Sequence, residues 1–190
     1  PHGRSIPVAM GVKLVRPELK VVVFGGDGDL AGIGLSHLIH AARRRNIDIS
    51  VFMVNNQVYG MTGGQVAPTT LQGIKTTSTP YGSFERPLNV SKIVAEAGAC
   101  YVARWTTVHR NELKEAMKKA ILTEGFSFVE ILSQCPTMFG RHAGFKNLAE
   151  IRQAGYRIVK ERDGERYFLV RQDELKPLLV RLGDIAEVRR

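Results

Sequence analysis

Short apolar runs alternate along this chain with segments whose apolar residues recur every three to four positions. That alternation predicts an α/β fold. Leu19 to Phe24 is rich in β-branched residues and is ended by Gly25-Gly26, which reads as a buried strand. Leu30 to Arg45 carries Leu30, Ile33, His37, Leu38 and Ala41 at helical spacing and reads as a helix. Ile47 to Val54 reads as a second strand. Farther on, Val90–Ala97 and Glu112–Leu122 read as helices, and Tyr101–Trp105 and Ser127–Leu132 as strands. The sum is a doubly wound, mostly parallel sheet. After residue 150 the pattern changes. A hairpin is expected over Tyr156–Val170 around Asp163-Gly164, then a short helix from Gln172 to Leu182. The expected organisation is one domain over residues 1–150, with a carboxyl-terminal extension over 151–190 packed on it or on a partner.

The candidate chemistry lies at the ends of the first two strands. Residues 26–28 read Gly-Asp-Gly, and residues 55–56 read Asn-Asn. One helix and one strand fit between them, so both groups return to the same edge of a parallel sheet. Asp27 can bind Mg²⁺, Asn56 can add its side-chain carbonyl oxygen, and the Val58 carbonyl can complete the set. Mg²⁺ favours hard oxygen ligands in octahedral geometry and takes its remaining ligands from phosphates and water. Gly26 tolerates a tight turn, and Gly28 is expected to let the backbone approach a phosphate at a helix amino terminus. Residues 55–82 form a long stretch rich in Gly and Thr with little periodicity, which is how a functional loop reads.

Composition narrows the class. The chain has 190 residues, a formal charge of +9 and two cysteines. The length supports one core, and two cysteines exclude a disulfide framework and suit a reducing compartment. No apolar run reaches the length of a membrane span. Basic residues are interleaved with acidic ones and no nucleic-acid-binding motif appears, so neither nucleic acid nor membrane is an expected partner. Arg43-Arg44-Arg45, the densest basic run, lies at a helix end, where cations suit the dipole.

The chain resembles the β subunit of 2-oxoacid:ferredoxin oxidoreductases, most closely the 2-oxoglutarate type. The matching residues are His-Gly-Arg at 2–4, Gly-Asp-Gly-Asp at 26–29, Asn-Asn-Gln-Val-Tyr-Gly-Met-Thr-Gly-Gly-Gln at 55–65 and Ala-Pro-Thr-Thr at 67–70. Ala97-Gly98-Ala99, Val102-Ala103-Arg104 and Ser-Gln-Cys-Pro-Thr at 133–137 also match. The resemblance implies a fold of the thiamine diphosphate-binding type, with the cofactor held through Mg²⁺ by Asp27, Asn56 and Val58. It places Gly26, Gly28, Asp29, Tyr59, Gly60, Met61 and Thr62 at the cofactor. It implies oxidative decarboxylation of 2-oxoglutarate or a related 2-oxoacid to its acyl-coenzyme A, with electrons passed to ferredoxin. The expected partners are an α subunit and small γ and δ subunits. The expected setting is the cytoplasm in anaerobic metabolism. A positive face then suits an acidic ferredoxin or coenzyme A.

The resemblance also implies a 4Fe–4S cluster, with Cys135 matching one of its cysteine ligands. The other three lie, in the family, before the His-Gly-Arg segment, so this chain is expected to lack that segment and, as it stands, the cluster. Cys100 reads as core. His37 and His40 read as helix-face residues, His109 and His142 have no evident partner, and Arg141 reads equally as a substrate-facing or a surface residue. Gly63 stands where some family members carry a lysine. No catalytic residue is assigned, because the glutamate that activates the cofactor ring comes from a partner chain in such enzymes. Two alternatives stay open, a non-catalytic interaction subunit of the same fold and a non-oxidative thiamine-dependent decarboxylase.

Overall fold

The parallel strands β1 (Val21–Gly26) and β2 (Ile49–Asn55) pair in the register Val21↔Ile49 through Gly26↔Val54, which fixes where the chain places its polar loops. The computed structural model describes residues 2–44, 46–133, 135–142, 157–162, 165–172 and 175–187. In chain order, α1 (Ser5–Val15) precedes β1 and α2 (Leu35–Ala42) precedes β2. A small hairpin, β3 (Val58–Tyr59) and β4 (Gln65–Val66), follows. Then come α3 (Val90–Glu96), β5 (Tyr101–Thr106), α4 (Arg110–Leu122) and β6 (Ser127–Leu132). The strands β7 (Arg157–Arg162), β8 (Glu165–Gln172) and β9 (Leu175–Glu187) close the order.

The main sheet runs β1-β2-β6-β5-β9-β8-β7. Its first four strands are parallel, and β9 pairs antiparallel with β5. Side-chain alternation then assigns the two faces. On one face Val23, Val51, Met53, Val102 and Phe128 pack under α1, α2 and α3 through Ile6, Ala9, Leu38, Ala41, Val90 and Val94. On the other, Phe52, Tyr101, Ala103, Val129 and Ile131 pack under Ala116 and Ala120 of α4. Helices on both faces explain why β2, β5 and β6 read as nearly continuous apolar runs. Coverage stops at β1, where Val22 and Phe24 are exposed, and α1 exposes Val8, Val12 and Val15 along its outer side.

Most of the expected elements are present with shifted ends. The helix expected over Leu30–Arg45 is broken: a π-type turn spans Gly28–Ile33, Gly32 leaves helical geometry, and α2 begins at Leu35. The break sits where two turns share space with the amino-terminal segment. Gly34 donates its N–H to the Asp29 carbonyl at 2.9 Å. The hairpin expected in the tail is present as β7–β8, with its Asp163-Gly164 turn outside the described residues. The helix expected from Gln172 to Leu182 is instead part of strand β9, paired antiparallel with β8 in the register Arg166↔Leu182 through Gln172↔Leu175. The Leu178-Leu179-Val180 run fits either period, and pairing with a neighbouring strand decides it.

A Cβ at Gly34 would stand 2.5 Å from the Asp29 carbonyl oxygen and 3.2 Å from that of Gly3, both backbone atoms. Gly34→Ala should therefore destabilise the chain by about 1–3 kcal/mol, as overpacking does, read as a lower urea midpoint. A Cβ at Gly26 meets nothing within 4 Å, and Gly26→Ala should leave that midpoint nearly unchanged.

Candidate metal and cofactor site

Because Gly26 and Val54 are partners, β1 delivers Asp27 and β2 delivers Asn55-Asn56 to the same sheet edge. The two halves of the expected clamp therefore meet. Asp27 is only 2% exposed. Its carboxylate accepts a 2.5 Å hydrogen bond from the Thr69 hydroxyl. Burial dominates its ionisation and raises its pKa to about 6, opposed by Thr69 and by the backbone N–H groups of Asp27, Asn56 and Gly28. All of those opposing groups are neutral donors. A carboxylate desolvated this far and compensated only by neutral dipoles is a strong site for a cation. The missing Cβ of Gly26 leaves open space beside it. Both observations fit a metal ion carrying a phosphate group.

The second half of the clamp is a tight turn. Asn56 Oδ1 accepts the Val58 N–H at 3.2 Å, and a carbonyl oxygen keeps a second lone pair for another partner. Gln57, between them, has φ of 66°, the one positive φ outside glycine among the described residues. Such a conformation is held only when its surroundings enforce it. Here the Gln57 N–H donates to Asn55 Oδ1 at 3.0 Å, and its carbonyl accepts the Thr70 hydroxyl at 2.5 Å.

The specific 59–65 motif forms the tip of the β3–β4 hairpin. Tyr59 pairs with Gln65, and the Gly64 N–H donates to the Tyr59 carbonyl at 2.8 Å. The Thr62 hydroxyl donates to Gln65 Oε1 at 2.7 Å, and Gln65 Nε2 returns a bond to the Thr62 carbonyl at 2.8 Å. Gly64 is left-handed at φ 85°, and a Cβ there would stand 3.3 Å from Met138. Met61, at the tip, is wholly exposed. Gly60 lies between Asn56 and Cys135, its missing Cβ 3.5 Å from Asn56 Nδ2 and 3.9 Å from Cys135 Sγ.

Three of the expected residues also have protein neighbours that the sequence did not suggest. A Cβ on Gly28 would overlap the Tyr59 ring, so its space seats Tyr59, whose hydroxyl donates to the Gly28 carbonyl at 3.1 Å. Burial, then the nearby charges of Asp27 and Asp29, raise the Tyr59 pKa and keep it a phenol. Asp29 is engaged with the amino-terminal segment. It accepts the Gly3 N–H at 2.5 Å and the Ser5 hydroxyl at 3.5 Å, and it lies 3.0 Å from His2 Nδ1.

The remaining singled-out residues scatter. Cys135, after the carboxyl end of β6, is half-buried, whereas Cys100 is buried just before the amino end of β5, at the opposite edge of the parallel strands. Among the described residues no three His, Cys, Asp or Glu side chains gather as a metal site. His37, His40 and Arg141 are exposed, and His109 Nδ1 lies 2.7 Å from the Thr106 hydroxyl. His142 lies against Gly64.

Sequence reasoning missed a buried polar chain behind the clamp. Glu130 accepts from Arg104 Nε at 2.7 Å, Ser91 Oγ at 2.5 Å and Asn55 Nδ2 at 2.8 Å. Burial alone would raise the Glu130 pKa, but the Arg104 charge and these bonds together hold it below the usual carboxylate range. The signal was present: one acid and one arginine, each inside an apolar strand, facing each other in the register Arg104↔Glu130.

Residues 1–131 match the family described as thiamine pyrophosphate enzyme, C-terminal TPP binding domain. The chain is 56% identical over 140 residues to the 2-oxoglutarate synthase subunit KorB of Methanocaldococcus jannaschii, covering 74% of this chain and 52% of that protein. It is 46% identical to the subunit of the same name from Methanothermobacter marburgensis, across all of this chain and 65% of the relative. Among solved structures it is similar to a 2-oxoglutarate:ferredoxin oxidoreductase from Magnetococcus marinus with 2-oxoglutarate, coenzyme A and succinyl-CoA bound. That match has a TM-score of 0.72 and 36% identity, over 84% of this chain and 53% of that one. The chain thus spans about half to two thirds of the length of these relatives.

The raised pKa of Asp27 has a sign. The folded chain holds this proton until about pH 6, while an unfolded chain releases it near 3.8. The group therefore contributes stability below about pH 4 that is lost as pH rises through about 6. In metal-free protein, the stability of wild type relative to Asp27→Asn should fall over that window in urea titrations. A pH-independent difference would refute the assignment.

Proposed function

The chain belongs to the thiamine pyrophosphate enzyme family through its TPP-binding domain, and on that premise we propose that it is the cofactor-binding part of a 2-oxoacid:ferredoxin oxidoreductase β subunit. The proposed reaction is oxidative decarboxylation of 2-oxoglutarate to its acyl-coenzyme A, with electrons passed to ferredoxin, in a complex with an α subunit and small γ and δ subunits. The single observation that carries the site is the buried Asp27 carboxylate, compensated only by neutral donors and set beside the open space at Gly26.

In this reading Asp27, Asn56 Oδ1 and the Val58 carbonyl hold Mg²⁺, and Gly26 leaves room for the diphosphate. Bound thiamine diphosphate supplies the nucleophilic carbon and electron sink that decarboxylation of a 2-oxoacid needs. The hairpin tip at Gly60–Thr62 overlies the cofactor, and its exposed Met61 faces outward to substrate or a partner chain. The exposed Val8, Val12, Val15, Val22 and Phe24 support assembly with other subunits, since apolar surface of this extent is covered in a working protein. Cys135 lies beside the clamp at Gly60 and suits one ligand of a 4Fe–4S cluster. One thiolate does not hold a cubane, so the described residues alone do not fit the cluster, and three further thiolates would have to come from the rest of the full-length subunit.

The test is an anaerobic assay of the full-length subunit co-expressed with its partners, following coenzyme A-dependent viologen reduction. Activity selective for 2-oxoglutarate over pyruvate and branched-chain oxoacids is expected, and selectivity for another acid would replace the substrate. Asp27→Ala should abolish Mg²⁺-dependent retention of thiamine diphosphate with the fold intact, because it removes the charged ligand. Gly26→Ala should fold as wild type yet weaken cofactor retention about tenfold or more, since a methyl occupies the diphosphate's space. Undiminished retention in Asp27→Ala would overturn the metal assignment.

A further inference from the structure

The buried chain behind the clamp offers an assignment for Glu130 and Asn55. Glu130 lies in β6, wholly within the protein, in register with Met53 of β2 and Arg104 of β5. Asn55 is two residues beyond Met53 and therefore on the same face. Its amide nitrogen donates to Glu130 Oε1 at 2.8 Å. A carboxylate accepts only, so Glu130 decides which end of the Asn55 amide points inward. The carbonyl end must then face the loop. There Asn55 Oδ1 meets the Gln57 N–H at 3.0 Å and the Thr69 hydroxyl at 3.0 Å. The first contact secures the left-handed Gln57, on which the 55–58 turn depends. The Thr69 hydroxyl also lies 2.5 Å from Asp27, and its single proton serves one of these two acceptors at a time.

Glu130 is itself fixed from two further elements. Arg104 Nε donates to it, and Arg104 Nη2 donates at 2.6 Å to Asn89 Oδ1, the cap of α3. Ser91, in the first turn of α3, donates to its other oxygen. A salt bridge needing only charge balance would be complete with Arg104. The Asn55 bond adds something else, because it converts a rigid buried ion pair into a fixed orientation of one amide at the sheet edge.

We propose that Glu130 and Asn55 form a positioning bridge that holds the 55–58 turn in its ligand geometry, so that Asn56 and the Val58 carbonyl are aimed before Mg²⁺ arrives. Neither residue touches the metal. The inference rests on the reading of Asp27, Asn56 and Val58 as the metal clamp. Its consequence is specific. Glu130→Gln presents an amide N–H₂ toward Asn55, which must then turn its carbonyl inward and set its own N–H₂ against the Gln57 N–H. Asn55→Asp in the same chain accepts from both sides and removes that conflict.

The experiment uses the full-length subunit with its partner subunits, stripped with EDTA, then titrated with MgCl₂ while thiamine diphosphate retention is measured. Thermal melts of the metal-free protein run alongside. Glu130→Gln should raise the Mg²⁺ concentration for half retention about tenfold or more, which corresponds to losing roughly one hydrogen bond of ligand positioning. The Glu130→Gln/Asn55→Asp pair should recover most of that loss. If Glu130→Gln fails to fold, Asn55→Ala carries the test, since it leaves the Glu130–Arg104 pair in place and should show the same weakened Mg²⁺ dependence. A lower melting temperature with unchanged Mg²⁺ dependence would make the pair purely structural and overturn the inference. So would a double variant as weak as the single one. A wild-type complex that retains no thiamine diphosphate with Mg²⁺ overturns the reading of the site itself, and the inference with it.

Discussion

A carboxylate buried inside a parallel sheet must find every partner within the protein, and Glu130 does so from three elements at once. Arg104 comes from β5, Ser91 from α3 and Asn55 from β2. Breaking such a pair by removing one partner typically costs about 3–5 kcal/mol, because the other charge stays buried alone. That penalty locks the relative placement of β2, β5, β6 and α3 at the sheet's polar edge. The loops that leave this edge start from fixed positions, and the turn at Asn55–Val58 can hold a left-handed glutamine.

Two buried carboxylates therefore behave in opposite ways within one site. Glu130 has a guanidinium beside it and is held ionised. Asp27 is opposed only by neutral donors, and burial raises its pKa to about 6. In the metal-free chain Asp27 works against stability at neutral pH, where an Asn of the same shape would not. In the proposed reading, a bound cation offsets that cost, the usual trade between stability and function. Glu130 supplies rigidity from behind, and Asp27 supplies charge at the front.

Much of this was legible because parallel sheets write themselves as apolar runs. The strands at Val21–Gly26, Ile49–Asn55, Tyr101–Thr106 and Ser127–Leu132 were visible, within a residue or two, as the runs Leu19–Phe24, Ile47–Val54, Tyr101–Trp105 and Ser127–Leu132, with Gly-Asp-Gly and Asn-Asn at the ends of the first two. What stayed hidden is what depends on contacts distant in sequence. The break in the helix after Asp27 depends on Gly34 meeting residue 3. Gly28 leaves the space that Tyr59, 31 residues on, fills. The run Leu178-Leu179-Val180 is a strand because β8 is available beside it. Helix α1 was missed because it is apolar on both sides, with Ile6 and Ala9 buried and Val8, Val12 and Val15 exposed, so no amphipathic period stands out.

That last property reaches beyond secondary structure. One face of α1 lies on β1 and β2, while Val8, Val12 and Val15 on the other are exposed. The same holds for β1, whose Val23 is buried under α1 while Val22 and Phe24 on its far face are exposed. The uncovered surfaces flank the strand that delivers Asp27. Asp27 and the 55–58 turn thus sit at the margin of the folded core, tied from inside to Glu130 through Asn55, with exposed apolar residues on the outer side of β1 and α1. In the proposed reading, the metal ligands come from this one chain, and the walls that exclude water from the site come with the other subunits.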